Sequence, residues 1–371
     1  MKIESIVLRE IRLPLVHFFE TSFGRTTERR IVLVEMRTDG PTGWGECTAG
    51  EHPFFSEETT DSAWHVIEHE LAPLLAGRDV AHGRDCPALL ARVRGNAMAK
   101  ASLENALWDV EAQAAGVSLS KLLGGTRATI PTGVSLGIQD SPEALLEKIA
   151  TEVSAGYQRI KLKCKPGWDV TIFEAVREKF PDITLSCDAN SAYRPDDFEH
   201  IAKFDDFGLL MIEQPLWDDD FYYHSLLQKR LTTALCLDES IRNRRHACAA
   251  IEMKSCRILN IKLGRVGGFS EAIAVHDVAA RLGVPVWCGG MLESGIGRAH
   301  NVALSSMPNF QLPGDVSASR RYWEQDVVAP EITVGANGEI VVPTIAGRGY
   351  EVDVDRIEKL TVRKTEVNMR V

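Results

Sequence analysis

ITLSCDANSAYRPDDFEHIAKFDDFGLLMIEQPLWDDDFYYHSLLQKRLTTALCLDES, residues 183–240, holds three short apolar runs that each end in a carboxylate. Asp188 closes ITLSCD, Glu213 closes LLMIE and Asp238 closes ALCLD. Twenty-five residues separate Asp188 from Glu213, and twenty-five more separate Glu213 from Asp238. One strand-plus-helix unit of a barrel takes about that many residues, so the carboxylates fall at equivalent places on three successive strands.

The same rhythm continues on both sides. Upstream lie TIPTGVSLG (129–137) and RIKLKCK (159–165); downstream lie ILNIKLGR (258–265), VPVWCGG (284–290) and FQLPGDVS (310–317). Strands alternating with helices imply parallel pairing through right-handed crossovers, and about eight such units close into a barrel. An open doubly wound sheet gives no reason for polar residues at so many strand ends.

Before Gly125 the pattern differs. Residues 2–13 and 30–38 alternate as strands, with a turn at Asp39-Gly40-Pro41 leading into GWGEC. From about Asp61 to Leu123 the pattern is helical: Ala99, Leu103, Ala106, Leu107 and Val110 recur at helix spacing, and Gly116 is a C-cap. Residues 1–125 thus read as an α+β capping domain and 126–325 as the barrel. Residues 326–371 read as a segment returning to the cap, in which EITVGANGEIVVP forms a hairpin turning at Ala336-Asn337-Gly338. No low-complexity linker divides these parts.

With 44% apolar and 25% charged residues, the 371-residue chain has the composition of a globular protein with a large core. A net charge of −10 and the lack of a long basic run argue against a nucleic-acid surface. The N-terminus MKIESIVLREIRLPLV is too charged for a signal peptide, and no apolar stretch is long enough to span a bilayer. Eight scattered cysteines without a C-x-x-C pair suit reduced thiols in a cytoplasm.

Three converging carboxylates repel one another unless a cation sits among them. All-oxygen ligands favour Mg²⁺, or Mn²⁺, over Zn²⁺. A single acidic strand end serves readily as a helix cap; three in register on apolar strands do not have that excuse. Asn190 and Glu239 adjoin these ligands and suit supporting roles. Lys161 and Lys163 share one strand face, which is the barrel interior because Ile160, Leu162 and Cys164 form the apolar outer face. Lys262 lies on a later strand, so Lys163 and Lys262 flank the metal-bearing strands. Burial among cations lowers a lysine pKa towards that of a useful base. This set suits removal of a proton α to a carboxylate, where a cation stabilises the doubly negative enediolate.

Together these residues resemble the enolase superfamily, in its muconate-lactonizing-enzyme-like branch. GGMLESGIGRAHN (289–301) with LPGDVSASRRYWEQD (312–326) resembles the N-succinylamino acid racemase/o-succinylbenzoate synthase group, and the likeness runs from FETSFG (19–24) through YWEQD (322–326). Metal-plus-lysine sites are a known pattern of that superfamily. The resemblance implies an α/β fold, a (β/α)7β-type modified TIM barrel with an α+β capping domain. It implies Mg²⁺ on Asp188, Glu213 and Asp238, catalysis by Lys163 and Lys262, and electrostatic support from Lys161. Loops at 19–24 and about 50–55 would close the site, with Phe19, Phe23 and Phe55 touching substrate. Ser135, Met291 and Glu293 map to strand ends facing the pocket, and Arg265 matches a position associated with racemases.

Departures are informative. Gly50 and Phe55 stand where relatives often carry a larger residue and a tyrosine. Asp315-Val316-Ser317 lacks the paired aspartates of dipeptide epimerases, and no His–Asp dyad of the mandelate racemase type is present. The expected activity is racemisation of N-acyl amino acids, preferably N-succinyl, with o-succinylbenzoate synthase as the alternative. In that syn dehydration Lys163 is the base and Lys262 stabilises the enediolate. Two remoter readings are a pyridoxal phosphate enzyme using Lys262 and GRVGG (264–268), and a non-catalytic metal-bound scaffold. The expected partner is a small-molecule carboxylate, and the expected assembly a homo-oligomer.

Overall fold

Alternation in the first forty residues produces a long antiparallel hairpin in the computed structural model, which describes residues 1–75 and 78–368. Strand β1 (Ile3–Thr21) pairs with β2 (Gly24–Thr38), with Leu8 opposite Val34 and Ile11 opposite Ile31. The strands outrun the expected ranges and reach a turn at Ser22-Phe23, so residues 19–24 are a hairpin tip rather than a loop. The ladder shifts between Pro14 and Phe19. Pro14 has no N–H to give, and the tip beyond it is half-exposed, which is why the periodicity fades there.

Strand β3 (Gly43–Cys47) adds to β2, and helix α1 (Ala97–Ala114) crosses the sheet. The glycines of GWGEC allow this contact: a Cβ on Gly45 would meet the Ser102 carbonyl oxygen at 1.9 Å, and one on Gly43 the Ala106 carbonyl oxygen at 2.1 Å. Backbone therefore lies on backbone, and no other residue type fits. The last strand, Thr361–Asn368, pairs antiparallel with β1.

The barrel strands are β4 (Gly133–Leu136), β5 (Arg159–Lys163), β6 (Leu185–Asp188), β7 (Ile212–Glu213), β8 (Leu235–Leu237), β9 (Ile258–Ile261) and β10 (Val286–Cys288). They pair in parallel, each with its successor. The eighth position is taken by residues 310–315 without a regular strand. Gln311 N donates to Val286 O at 3.1 Å, Asp315 N to Cys288 O at 2.8 Å, and Gly133 N to Gly314 O at 2.7 Å. Pro313 in the middle cannot donate, so the closure is a set of separate bridges. The fold is a modified TIM barrel carrying an antiparallel cap.

EITVGANGEIVVP does turn near Ala336, where Gly338 N donates to Gly335 O at 2.9 Å. Its two arms, however, share only one bond beyond the turn, Gly335 N to Glu339 O at 2.8 Å, and form no ladder with each other. Glu339–Val341 pairs instead with Thr129–Pro131, just ahead of β4, and buries Ile340 against Ile130 in the barrel core. Outward-facing residues of the strands, Ile160, Leu162 and Cys164 among them, belong to that core. Inside the barrel, Met211, Cys236, Ile258 and Trp287 form a separate apolar plug below the polar end.

Candidate functional site

Helix α2 (Gly295–Ser305) follows β10 and completes the elements around the polar end of the barrel. Register places Lys163 beside Asp188 and Asp188 beside Glu213 on β5, β6 and β7. Asp238 follows directly on β8 and Lys262 on β9. Asp188, Glu213 and Asp238 are fully buried, and one ligand oxygen from each lies within 4.8 Å of the others. Hard oxygen donors at that separation, on rigid adjacent strands, fit a divalent cation.

Every negative charge in the cluster meets a positive one. Lys161 Nζ lies 2.8 Å from Glu213 Oε2, 3.3 Å from Asp188 Oδ2 and 2.7 Å from Asp315 Oδ2. Lys163 Nζ donates to Asp188 Oδ2 at 2.6 Å and to Asn190 Oδ1 at 2.7 Å. Lys262 Nζ donates to Asp238 Oδ2 at 2.7 Å, and Arg265 donates to the other oxygen of Asp238. Asn190 Nδ2 in turn donates to Glu239 Oε1 at 2.9 Å. Burial works against ionisation of Asp188, but Lys163 and Lys161 outweigh it and hold the carboxyl well below its usual range. Burial and the neighbouring Asp188 push Glu213 upward, and the same two causes push Glu239 up to about 7. Burial lowers Arg265 to about 9.

Three members of this network were not anticipated. Arg159 Nη2 holds Asp315 Oδ1 at 2.6 Å, and Asn260 Nδ2 donates to Glu213 Oε1 at 2.7 Å. Arg159 and Asn260 each stand two residues before a lysine already singled out, so the period-two argument reaches them. Asp315, which in the sequence marks only a departure from the epimerase pattern, anchors Lys161.

A cavity of about 410 Å³ opens between cap and barrel, and both Lys163 and Lys262 line it. Phe19, Phe23, Phe55 and Met291 line it too, as does Asn190. Each lysine faces one aromatic ring of the cap: Lys163 Nζ is 6.0 Å from the Phe19 ring centre, and Lys262 Nζ is 4.4 Å from that of Phe55. Ser135 and Glu293 are buried outside this lining. Ser135 faces inward beside Lys161, whereas Glu293 accepts from Asn301 Nδ2 at 3.0 Å and steadies α2. GRVGG makes a tight turn closed by a protein carboxylate: Ser270 N donates to Glu104 Oε1 at 2.7 Å, and a Cβ on Gly268 would meet Glu104 at 2.2 Å. That turn has no room for a phosphate.

Glu46 of β3 also escaped sequence reasoning. It accepts from Ser294 Oγ at 2.6 Å and from the backbone N–H of Ser294 and Gly297 at 3.0 Å each, so a cap residue closes the start of a barrel helix. Burial pushes Glu46 up to about 8, and burial likewise pushes Glu104 up to about 7. From about pH 4.5 to 8 the fold keeps a proton on Glu46 that the unfolded chain releases, so each pH unit weakens the fold by up to about 1.4 kcal/mol. Thermal melts are expected to show a lower Tm at about pH 8.5 than at about pH 6, with a shallower decline in Glu46→Gln. Parallel curves for the two proteins would rule this out.

All eight cysteines are free, seven of them buried, and no helix among the described residues is long and apolar enough to cross a membrane. Comparison with known proteins agrees with the geometry. Residues 3–124 match the mandelate racemase/muconate lactonizing enzyme N-terminal domain, and residues 144–356 match the enolase C-terminal domain-like family. An o-succinylbenzoate synthase of Geobacillus kaustophilus is 49% identical, covering 97% of this chain and 96% of that protein. An N-succinylamino acid racemase of an Amycolatopsis species is 46% identical, with 98% and 99% covered. The crystal structure of an enolase superfamily member from Listeria innocua superimposes with a TM-score of 0.96 at 40% identity, covering 100% of both chains. The chain belongs to the mandelate racemase/muconate lactonizing enzyme family of the enolase superfamily.

Proposed function

We propose that this enzyme removes the α-proton of a carboxylate substrate in a Mg²⁺-dependent reaction, and that its main activity is racemisation of N-succinyl amino acids. The observation that carries the reading is the placement of Lys163 and Lys262. They stand on strands flanking the three carboxylate-bearing strands, and both open on one cavity. An α-carbon between them has an amine on each face. One lysine takes the proton onto its Nζ while the other, protonated, returns one to the opposite face. A divalent cation on Asp188, Glu213 and Asp238 would supply positive charge against the charge that builds on the substrate carboxylate.

Asn190 and Asp188 fix the Lys163 amine from one side, and Asp238 fixes that of Lys262. Lys161 lines no part of the cavity and is held by three carboxylates, which suits an electrostatic role. The phenylalanines of the cap shield the amines from bulk water. The reduced, mostly buried thiols suit a cytoplasmic enzyme.

The curated relative at 49% identity favours o-succinylbenzoate synthesis as a second reading. The same lysines serve it: Lys163 removes the α-proton and returns it to the hydroxyl that departs from the same face as water, while Lys262 stays protonated beside the carboxylate. The deciding experiment is ¹H NMR in D₂O with Mg²⁺, run on N-succinyl amino acids and on the cyclohexadiene precursor of o-succinylbenzoate. Exchange of the α-proton with loss of optical rotation is the expected result. Dehydration without any exchange on the amino acids would instead assign the synthase role alone.

A further inference from the structure

Five arginines are buried among the described residues: Arg9, Arg29, Arg159, Arg265 and Arg298. Arg9, Arg159 and Arg265 each hold a carboxylate, and Arg298 donates to backbone carbonyls at 2.7 and 2.8 Å. Arg29 shares with Arg298 the lack of a carboxylate, but of the five it alone lines the cavity that holds Lys163 and Lys262. It is only 6% exposed, yet among the described residues it has no carboxylate partner. Its Nη2 makes two long contacts, 3.3 Å each, to the carbonyls of Thr48 and Ala49, and its buried Nε has no partner.

The side chain lines the cavity that holds Lys163 and Lys262. A Cβ added to Gly50 would stand 3.9 Å from Arg29 Nη1, so the lack of a side chain there leaves the guanidinium open to the cavity. Glu46, Glu51 and Glu293 lie near enough to favour its charge, but none bonds to it. A buried guanidinium with only two long carbonyl contacts and an unpaired Nε is costly, and a carboxylate arriving in the cavity supplies the missing bonds in fork geometry.

We infer that Arg29, uncovered by Gly50, binds the distal carboxylate of a dicarboxylate substrate whose other carboxylate sits at the lysine end. A succinyl group provides that second carboxylate on both an N-succinyl amino acid and an o-succinylbenzoate precursor. The inference rests on the proposed function for the lysine end only. It assigns the cap a selective part in choosing acyl groups, beyond shielding the amines.

The test compares an N-succinyl amino acid with its isostere bearing a terminal carboxamide, using Mg²⁺-loaded wild type, Arg29→Gln, Arg29→Lys and Gly50→Val. For Arg29→Gln, kcat/KM on the succinyl substrate is expected to fall about 30-fold, mainly through KM, with less than about a threefold change on the carboxamide. Arg29→Lys should recover part of the loss. Gly50→Val should act in the same direction, and it keeps the test open if Arg29→Gln does not fold. Equal losses on both substrates, or none on the succinyl one, overturn the inference.

Calorimetric titration with glutarate and with its monoamide adds an arm that needs no turnover. A wild-type preference for the dianion that Arg29→Gln removes supports the subsite, and indifference overturns it. If wild type binds glutarate selectively but exchanges no α-proton, the functional reading fails while the subsite stands.

Discussion

Either Lys163→Ala or Lys262→Ala is expected to lower racemisation of an N-succinyl amino acid by about 10³-fold or more, the scale of a lost acid–base group in a closed site. The two losses should differ in kind. Lys163 and Lys262 approach from opposite flanks of the carboxylate strands, so each addresses one enantiomer. In D₂O, residual exchange in each variant should be confined to a single enantiomer, and the handedness should reverse between the two. Separate assays on L and D substrates check this. If either variant racemises within about tenfold of wild type, the two-base reading is wrong. The folds should survive, because each substitution leaves a carboxylate with other partners: Asp188 retains Lys161, and Asp238 retains Arg265.

The second large effect concerns the carboxylates themselves. Chelation with EDTA is expected to abolish turnover, and added Mg²⁺ or Mn²⁺ to restore it. Glu213→Gln should lower kcat/KM by about 10³-fold even at high Mg²⁺. Glu213 is the middle ligand and accepts from two donors, Lys161 Nζ and Asn260 Nδ2. An amide presents a donor to one of them, so both the negative charge and the bond pattern are lost. Breaking a buried pair in this way also costs about 3 kcal/mol of stability, readable by denaturant unfolding. Full activity in EDTA would show that no dissociable cation takes part.

Much of this site was legible in the sequence because it depends on two local periods. The repeat between Asp188, Glu213 and Asp238 reports strand ends, and the spacing of Lys161 and Lys163 reports a shared face. Carried one step further, the second period leads to Arg159 and Asn260. What the sequence withheld depends on contacts between distant segments. Glu46 bonds a backbone 248 residues away, and nothing around GWGEC signals that partner. EITVGANGEIVVP carries a true turn signal, but the strand after the turn chose the free edge at Thr129–Pro131, a choice made by burial of Ile340. Arg29 sits in a strand of ordinary alternation, and only the missing side chain at Gly50 makes it open to a cavity. Pro313 explains why the eighth position of the barrel reads as a strand yet forms scattered bridges.

The two buried carboxylates that clamp cap to barrel have a consequence for motion. Glu46 grips the start of α2, and Glu104 on α1 grips the turn at Ser270. Rocking the cap as a rigid body would tear both grips from buried donors at once. Opening is left to the parts beyond the clamps, the hairpin tip bearing Phe23 and the segment bearing Phe54, which are 40% and 61% exposed. Tips of this size move in roughly nanoseconds to microseconds, whereas whole domains hinge in microseconds to milliseconds. A gate confined to such tips is expected to open many times within one catalytic cycle, so that the speed of the enzyme is set at the lysines and not at the door.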